Sequence, residues 1–324
     1  MNKRVLLYIF AVIAVIACIT MSFSMSQPHI DGEVDKNNNK LTITTTSFSS
    51  YDFVRQIVGD KANVVYMLGP GVDAHSYEPS ASDLVKIQNA DIFIYIGGEM
   101  EKWTDKVLAS DVLNTETTEL IKVSDAVETI EEQKIDGAET EEEEEEEEGA
   151  FDEHIWTSPT NAIKMLNYLC EKISSLDEEN RKFYEENSKV YETKMIELRS
   201  KIKEITDNKK RNRLVFGDKM PMQYFLNEFG LTASAAFSGC STETEPSSKT
   251  IAYLVNKVRE EKIPVVFYIE LSTGKTAKAI ANETGAKATQ IQTLHNISKE
   301  DFENGETYVS LMTRNLDVLK EALQ

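Results

Sequence analysis

The chain has 324 residues, 41% of them hydrophobic, which is enough apolar material for ordinary folded domains. Its formal net charge of -20 at pH 7 opposes binding to nucleic acid and favours encounter with cations. The 3 cysteines form no CxxC pair, so the sequence does not support zinc-finger or thioredoxin chemistry.

Residues 1–25 have the composition of an export signal. Two basic residues precede a nearly unbroken apolar stretch at 5–17. The motif Val-Ile-Ala-Cys that ends at Cys18 resembles a lipobox, in which the cysteine is lipidated after cleavage. An uncleaved membrane anchor is the alternative, because the apolar character continues beyond Cys18. Either reading makes residues 26–40 a polar spacer and places the rest of the chain outside the cytoplasmic membrane.

Residues 41–176 are predicted to form an N-terminal lobe. Strands and helices alternate at its start, which indicates βαβ units and a parallel sheet. Ser80 is the predicted N-cap of one helix, with Asp83 three residues later. The predicted strands lie at residues 41–47, 63–68 and 91–96, and the helices at 50–59, 80–89 and 159–176.

The alternation fails between residues 115 and 149. Residues 141–148 are an unbroken run of glutamates, and their mutual repulsion favours disorder. We therefore predict a disordered surface insertion at residues 131–149. A low-affinity cation collector is the alternative, but a run of carboxylates prefers hard cations and does not predict a specific zinc site.

Residues 177–206 are predicted to form one long helix that links two lobes. Thirty residues at about 1.5 Å each span roughly 45 Å, more than a typical domain helix. Such a helix can run along both lobes and tie them rigidly together. A simple exposed helix or a coiled coil with a partner is the alternative, although the apolar repeat is too irregular for sustained heptads.

Residues 207–324 resume the alternation and are predicted to form a C-terminal lobe. The predicted strands lie at residues 214–216, 264–269 and 288–291, and the helices at 222–229, 247–262, 274–284 and 302–323. The predicted fold is thus α/β, with two lobes that each contain a mostly parallel sheet, joined by the long helix. Cys170 is predicted as a core residue, and Cys240 as a loop cysteine that is free or bridged.

The placement of the four histidines is the most informative chemical signal. His29 lies in the spacer and carries no prediction. His75, His154 and His295 lie on loops after strands or at the start of a helix, and the ligand crevice of open α/β sheets lies at the carboxyl ends of the strands. Histidine nitrogen is a preferred ligand of zinc, and together with carboxylates it also suits manganese or iron.

Several motifs resemble those of the cluster A-I solute-binding proteins of ABC transporters, which bind zinc or manganese. Residues 69–80, Gly-Pro-Gly-Val-Asp-Ala-His-Ser-Tyr-Glu-Pro-Ser, resemble the first metal-ligand motif of this family, and residues 152–159 resemble the second. An acidic insertion before the second motif is typical of the zinc branch. The C-terminal half matches at residues 241–249, 266–270, 283–287 and 308–323, so the resemblance covers nearly all of residues 41–323.

The resemblance implies a set of metal ligands. His75 and His154 correspond to the ligands of the N-terminal lobe. The third ligand of the family follows the strand that leaves the long helix, where Asp218 is the nearest donor. The fourth position falls on Gln292, a poor ligand, and His295 three residues later is a better donor. The predicted metal ligands are therefore His75, His154, His295 and Asp218.

Further carboxylates leave the ligands of the C-terminal lobe open. Glu270 follows a predicted strand on the same side of the lobe. Glu243 and Glu245 are interpreted as helix-capping or salt-bridging residues, because Pro246 and a helix follow them. The choice between zinc and manganese depends on these donors.

The expected function is that of the extracytoplasmic subunit of a metal ABC importer. It would capture Zn²⁺, or alternatively Mn²⁺ or iron, between its lobes as a monomer, and pass it to a transmembrane permease with a cytoplasmic ATPase. Two other classes of protein are alternatives. A surface adhesin would explain the membrane tether but not the paired histidine loops. A zinc hydrolase would need an open water position and a general base, and the sequence lacks HExxH and GxSxG.

Overall fold

A computed structural model describes residues 40–110, 113, 117–138, 151–239, 241 and 245–324. The predicted export segment with Cys18, most of the spacer, the glutamate run, Cys240 and Glu243 lie outside the described residues. No helix within the described ranges is both long enough and apolar enough to cross a membrane.

The N-terminal lobe is a parallel sheet of four strands in the order β2-β1-β3-β4, flanked by helices. Ser80 and Asp83 form the reciprocal capping box expected at the start of the second helix. The strands are β1 (Thr42–Thr45), β2 (Asn63–Tyr66), β3 (Ile92–Tyr95) and β4 (Glu119–Lys122), and the helices are α1 (Phe48–Val58), α2 (Ala81–Gln88) and α3 (Lys102–Leu108). Neither β4 nor α3 was predicted from the sequence.

Two helices follow the second motif. The first is α4 (Pro159–Leu176), and the second is the long helix α5 (Arg181–Asp207), whose 27 residues span about 40 Å. One face of α5 is buried and carries Tyr184, Tyr191, Met195, Leu198 and Ile202. The long helix begins at Arg181 instead of residue 177, because Asp177 and its neighbours form a turn in which Asp177 accepts a hydrogen bond from the Tyr184 hydroxyl.

The C-terminal lobe repeats the topology, with four parallel strands in the order β6-β5-β7-β8. Its strands are β5 (Arg213–Lys219), β6 (Thr232–Phe237), β7 (Val265–Ile269) and β8 (Lys287–Ile291), and its helices are α6 (Gln223–Phe229), α7 (Ser248–Glu260), α8 (Lys275–Thr284), α9 (Lys299–Glu303) and α10 (Tyr308–Leu323). The fold class predicted from the sequence is therefore confirmed, although β6 was missed.

The predicted final helix at residues 302–323 is two helices. Gly305 adopts a left-handed φ of 72° between α9 and α10, and it ends the first of them. A new capping box between Thr307 and Ser310 starts α10. Its first backbone N–H, at Tyr308, donates to the buried carboxylate of Asp52 at 2.8 Å, which attaches α10 to the N-terminal lobe.

Part of the segment predicted as a disordered insertion is ordered. Residues 131–138 leave the N-terminal lobe and lie along the edge of the C-terminal sheet, where Asp136 bridges Ser234 in parallel. Glu131 bridges Phe151 in the returning chain. Ile135 packs against the core. Burial of this apolar side chain and the two bridges explain why residues 131–138 are ordered, although the acidic sequence predicted disorder. Residues 139–149 of the predicted insertion lie outside the described residues.

The apolar interior joins the two lobes. One core contains residues of the N-terminal lobe, of α5 and of one face of the C-terminal sheet. A second, smaller core lies between that sheet and helices α7 and α8. Cys170 is buried and free, as predicted for a core residue.

Candidate metal centre

The imidazole rings of His75, His154 and His295 meet at one point between the lobes. Their centroids are 5.5 Å apart for His75 and His154, 4.7 Å for His75 and His295, and 5.3 Å for His154 and His295. The three residues come from the loop after β2, the turn before α4 and the loop after β8. Both lobes thus contribute to one cluster, at the carboxyl ends of their strands.

Each of the three rings has a nitrogen without a hydrogen-bond partner. The Nε2 atoms of His75, His154 and His295 are buried and have no hydrogen-bond partner. One ligand atom from each residue lies within 4.8 Å of the others. Buried polar atoms normally have partners, so three unpartnered imidazole nitrogens in one group of neighbouring rings indicate a site for a cation.

Asp152 orients the ring of His154. Its Oδ1 accepts from the backbone N–H of His154 at 2.8 Å and lies 2.8 Å from the ring Nδ1. A proton on Nδ1 donated to this carboxylate leaves the lone pair on Nε2 free for a metal. Burial lowers the pKa of His154, but the charge and hydrogen bond of Asp152 outweigh it and raise the pKa above its ordinary value.

Asp73 accepts a hydrogen bond from the backbone of His75, as Asp152 does from the backbone of His154. Its Oδ1 accepts from the backbone N–H of His75 at 2.9 Å. Burial, followed by the nearby positive charges of His295, His154 and Lys219, lowers the pKa of His75 well below its usual range. The neutral imidazole is therefore favoured, and this is the form that binds metals.

Glu270 positions His295 through the backbone. Its carboxylate, buried at the end of β7, accepts from the backbone N–H groups of Thr293 and His295, both at 2.8 Å, and from the Thr293 hydroxyl at 2.8 Å. Glu270 therefore shapes the loop and does not join the three imidazoles. Burial, with the charge of His154, lowers the pKa of His295 to about 3.

Asp218 does not join the cluster. The pairing of β5 with β6 shifts register between Phe216 and Lys219. Side chains alternate between the two faces of a strand, so an extra residue changes which side chain at the end of β5 points into the cleft. The Oδ1 of Asp218 accepts from the backbone N–H of Lys219 at 2.9 Å, and the side chain of Lys219 is the buried one. Asp218 is therefore not among the donors that lie together with the three imidazoles in the described part of the chain.

The other acidic and amide candidates of the C-terminal lobe also lie outside the cluster. The backbone N–H of Gln292 donates to the side chain of Asn315, and the side chain of Gln292 donates to Gln290. Glu245 pairs with Lys275 at 2.7 Å, as the salt-bridging interpretation predicts.

Glu270 was a candidate ligand from the sequence, whereas the supporting roles of Asp73 and Asp152 were not predicted, although the sequence contained a signal for both. Asp73-Ala74-His75 and Asp152-Glu153-His154 share the pattern Asp-x-His, and in both the aspartate binds the backbone of the histidine. The contribution of Lys219 had no signal in the sequence, because it depends on the register of β5.

Direct hydrogen bonds join the lobes around the cluster. The Tyr66 hydroxyl donates to Asn296 at 3.1 Å, and the indole N–H of Trp156 donates to the carbonyl of Thr293 at 3.0 Å. The backbone N–H of Gly71 donates to the carbonyl of Ile297 at 2.8 Å. The loops that carry the three histidines are therefore fixed relative to one another.

The chain is similar to known zinc-uptake and zinc-binding proteins. The family model described as ZnuA, zinc-uptake complex component A, periplasmic, matches residues 43–322. The high-affinity zinc uptake system protein ZnuA of Bacillus subtilis is 30% identical over 307 residues, which cover 95% of both chains. The zinc-binding lipoprotein AdcA of Streptococcus pneumoniae is 30% identical over 284 residues, 88% of this chain and 56% of AdcA, so the chain spans about half of that relative.

Solved structures give the same picture. The Zn(II)-bound ZnuA-like domain of Streptococcus pneumoniae AdcA has a TM-score of 0.73 at 31% identity, covering 88% of this chain and 99% of that domain. The metal-dependent lipoprotein YcdH of Bacillus subtilis has a TM-score of 0.74 at 29% identity, with coverage of 88% and 99%. These neighbours share the two-lobed fold.

Proposed function

The chain belongs to the ZnuA family of periplasmic zinc-uptake components, and from this premise we propose that it captures Zn²⁺ with the imidazoles of His75, His154 and His295. The family consists of binding proteins for metal transport, not of enzymes. The observation that carries the proposal is that three imidazoles from both lobes bring one ligand nitrogen each within 4.8 Å of the others, and that each ring has a buried Nε2 without a hydrogen-bond partner.

The donor set favours zinc over manganese. Zinc prefers nitrogen and sulfur ligands in tetrahedral geometry, whereas manganese prefers carboxylate and water oxygens. Within the described residues, no carboxylate or thiolate joins the three imidazoles in the group. Because Asp218 also lies outside the group, we propose that water occupies the fourth position of a bound ion. Asp152 would then increase the basicity of the His154 ligand.

We further propose that the protein acts outside the cytoplasmic membrane as the monomeric binding subunit of an ABC importer, and passes the ion to a permease driven by a cytoplasmic ATPase. The membership of the family supports this role. The tether would be a lipid on Cys18 or an uncleaved anchor, as the composition of the N-terminal segment indicates.

Capture of the ion should need only small movements. The long helix α5 packs against α1 of the N-terminal lobe and against α10, and the hydrogen bonds of Asn296 and Trp156 cross between the lobes. We propose that the lobes shift slightly, with no wide hinge opening.

Equilibrium dialysis of the full chain with metal analysis tests the proposal. We expect about one zinc ion per chain, with manganese retained far less well, since three imidazoles match the preference of zinc. A chain that retains no zinc above a buffer control would contradict the proposed function. A chain that retains manganese equally well would contradict the assignment of zinc.

A further inference from the structure

A buried positive charge pairs with the aspartate that holds the backbone of His75. Lys219 is the last residue of β5, and its side chain is only 8% exposed. Its Nζ pairs with the Oδ2 of Asp73 at 3.5 Å, across the cleft from the opposite lobe. The same aspartate holds the backbone of His75 through its Oδ1. The ammonium group is therefore one side chain away from a proposed metal ligand.

The position of Lys219 is costly for the fold. Removing an ammonium group from water is unfavourable unless it gains close partners, and an apolar residue of similar size would avoid that cost. Its partner Asp73 is 47% exposed, and the separation of 3.5 Å is long for a charge-assisted hydrogen bond. Stability alone does not explain a lysine here.

The charge of Lys219 lies close to the proposed ligands. Its Nζ is 3.5 Å from Asp73, Asp73 binds the backbone of His75, and the ring centroid of His75 is 4.7 Å from that of His295. A divalent cation held by these imidazoles has the same sign of charge as the ammonium group, so the two repel each other in this buried setting.

We propose that Lys219 limits the affinity of the site for its cation by electrostatic repulsion, and that Asp73 partly neutralises this charge from the opposite lobe. This inference rests on the proposed function, since it concerns the same three imidazoles. A limited affinity suits a protein that must release its ion to a second protein. The pairing of Lys219 with Asp73 across the cleft makes the two residues one tuning device, with one member in each lobe.

The test is the affinity of the full chain for Zn²⁺, measured by competition with a chromophoric chelator. We expect K219M to bind Zn²⁺ at least tenfold more tightly than the unmodified chain, a change of about 1.4 kcal/mol. We expect D73N to bind more weakly, because it leaves the lysine charge uncompensated, while its remaining amide oxygen can still accept from His75. The double variant D73N/K219M should return toward the original affinity.

The matched control is K257M. Lys257 also lies in the C-terminal lobe, its side chain is 20% exposed, and it pairs with Asp136 and Glu261 away from the histidines. The variant removes the same unit charge, so it separates a local effect from a change in net charge. We expect its affinity for Zn²⁺ to stay within twofold of the original.

The outcomes separate this inference from the proposed function. If the unmodified chain binds no Zn²⁺, the proposed function itself fails. If it binds Zn²⁺ and folded K219M binds equally or more weakly, the tuning role of Lys219 is overturned and the proposed function stands. Circular dichroism and thermal unfolding establish that each variant is folded. If K219M does not fold, K219Q removes the same charge with a polar side chain and carries the same expectation.

Discussion

The two lobes have the same sheet topology but support their histidines differently. In the N-terminal lobe, an aspartate two residues before each histidine binds its backbone, and Asp152 also holds the ring of His154. In the C-terminal lobe, Glu270 holds the whole loop around His295 through backbone N–H groups. The N-terminal lobe therefore orients rings and short turns, whereas the C-terminal lobe fixes a longer loop with one buried carboxylate.

This difference separates the expected consequences of substitution. Damage to a ring-orienting carboxylate should affect metal affinity and leave the fold intact. Damage to the loop-forming carboxylate should affect both, because the same hydrogen bonds stabilise the lobe and place the ligand.

Removal of one imidazole from either lobe should have the largest effect. We expect His154→Ala and His295→Ala each to weaken Zn²⁺ binding by at least roughly hundredfold, because an apparent binding free energy of about 10–16 kcal/mol is shared by about four ligands. Chelator competition measures the loss. His29→Ala changes a histidine of the spacer and should bind as the original does. A His295 variant with unchanged affinity would restrict the site to the N-terminal lobe.

Substitution of the loop-forming carboxylate should cost both stability and affinity. Glu270→Gln replaces one oxygen by an amide that opposes a backbone or hydroxyl donor, since both carboxylate oxygens accept hydrogen bonds. We expect a loss of about 2 kcal/mol in the free energy of unfolding of the metal-free chain, together with weaker Zn²⁺ binding.

The matched control for Glu270→Gln lies in the N-terminal lobe. Glu101 is also buried, but its backbone donors, Ile96 and Gly97, both bind the same oxygen, Oε2, at 2.7 and 2.9 Å. A glutamine can keep both bonds with its one oxygen, so Glu101→Gln should cost less. Burial also raises the pKa of Glu101 from its ordinary value to about 7, so the stability contributed by its protonated form is lost as the pH rises through about 7, and the glutamine variant should gain relative stability over that rise from pH 5. Equal losses in both variants at pH 7 would refute the distinction.

Substitution of the ring-orienting carboxylate should reduce affinity alone. We expect Asp152→Asn to weaken Zn²⁺ binding by about 10- to 100-fold, which is the usual effect of removing a partner of a ligating imidazole. Thermal unfolding of the metal-free variant should change little compared with Glu270→Gln. A large fall in metal-free stability would show that Asp152 organises the fold in the same way as Glu270.

Acid should weaken Zn²⁺ binding first by protonating His154, a ligand from the N-terminal lobe. The raised pKa of His154 means that this ring takes up a proton before His75 and His295, whose pKa values are lowered. Protons compete with the metal, so the dissociation constant for Zn²⁺ should rise by roughly tenfold per pH unit once the pH falls below the pKa of His154. Asp152→Asn should move this onset to lower pH. An affinity that stays constant from pH 7.5 to pH 5 would argue against histidine ligation.

The docked segment at residues 131–138 should give the smallest effect. Asp136 pairs with Arg213 at 3.0 Å and with Lys257 at 3.7 Å, and its carboxylate is 42% exposed. We expect Asp136→Ala to reduce the free energy of unfolding by about 1 kcal/mol, as befits a partly exposed network. The control is Glu321→Ala, which removes an equally exposed partner of the single residue Lys287 and should cost less than about 0.5 kcal/mol. Equal effects in denaturant titrations would mean that the network adds nothing.

The sequence predicted the fold well where local patterns were strong. Strand β7 is β-branched and aromatic, and the capping box of Ser80 marked the start of α2. Strand β6 was missed because Thr-Ala-Ser-Ala-Ala-Phe has low β-propensity and becomes a strand by pairing with β5. Tertiary contacts, which a local pattern does not contain, also ordered residues 131–138.

The accuracy of the site prediction was limited because strand register cannot be read from the sequence. Loop histidines after strands could be recognised individually, because the topology of an α/β sheet places such loops at one edge. Whether Asp218 or Lys219 enters the cleft depends on the register shift in β5. A shift of one residue places an ammonium group in the cleft instead of a carboxylate, and the residue types alone do not indicate such a shift.

X-ray absorption spectroscopy of the zinc-loaded full chain tests the central claim most directly. The account predicts a first shell of nitrogen and oxygen at about 2.0–2.1 Å, with outer-shell scattering from three imidazoles that decreases to two in His295→Ala. A zinc shell without imidazole scattering, or one that is unchanged in His295→Ala, would contradict the claim that both lobes share one ion.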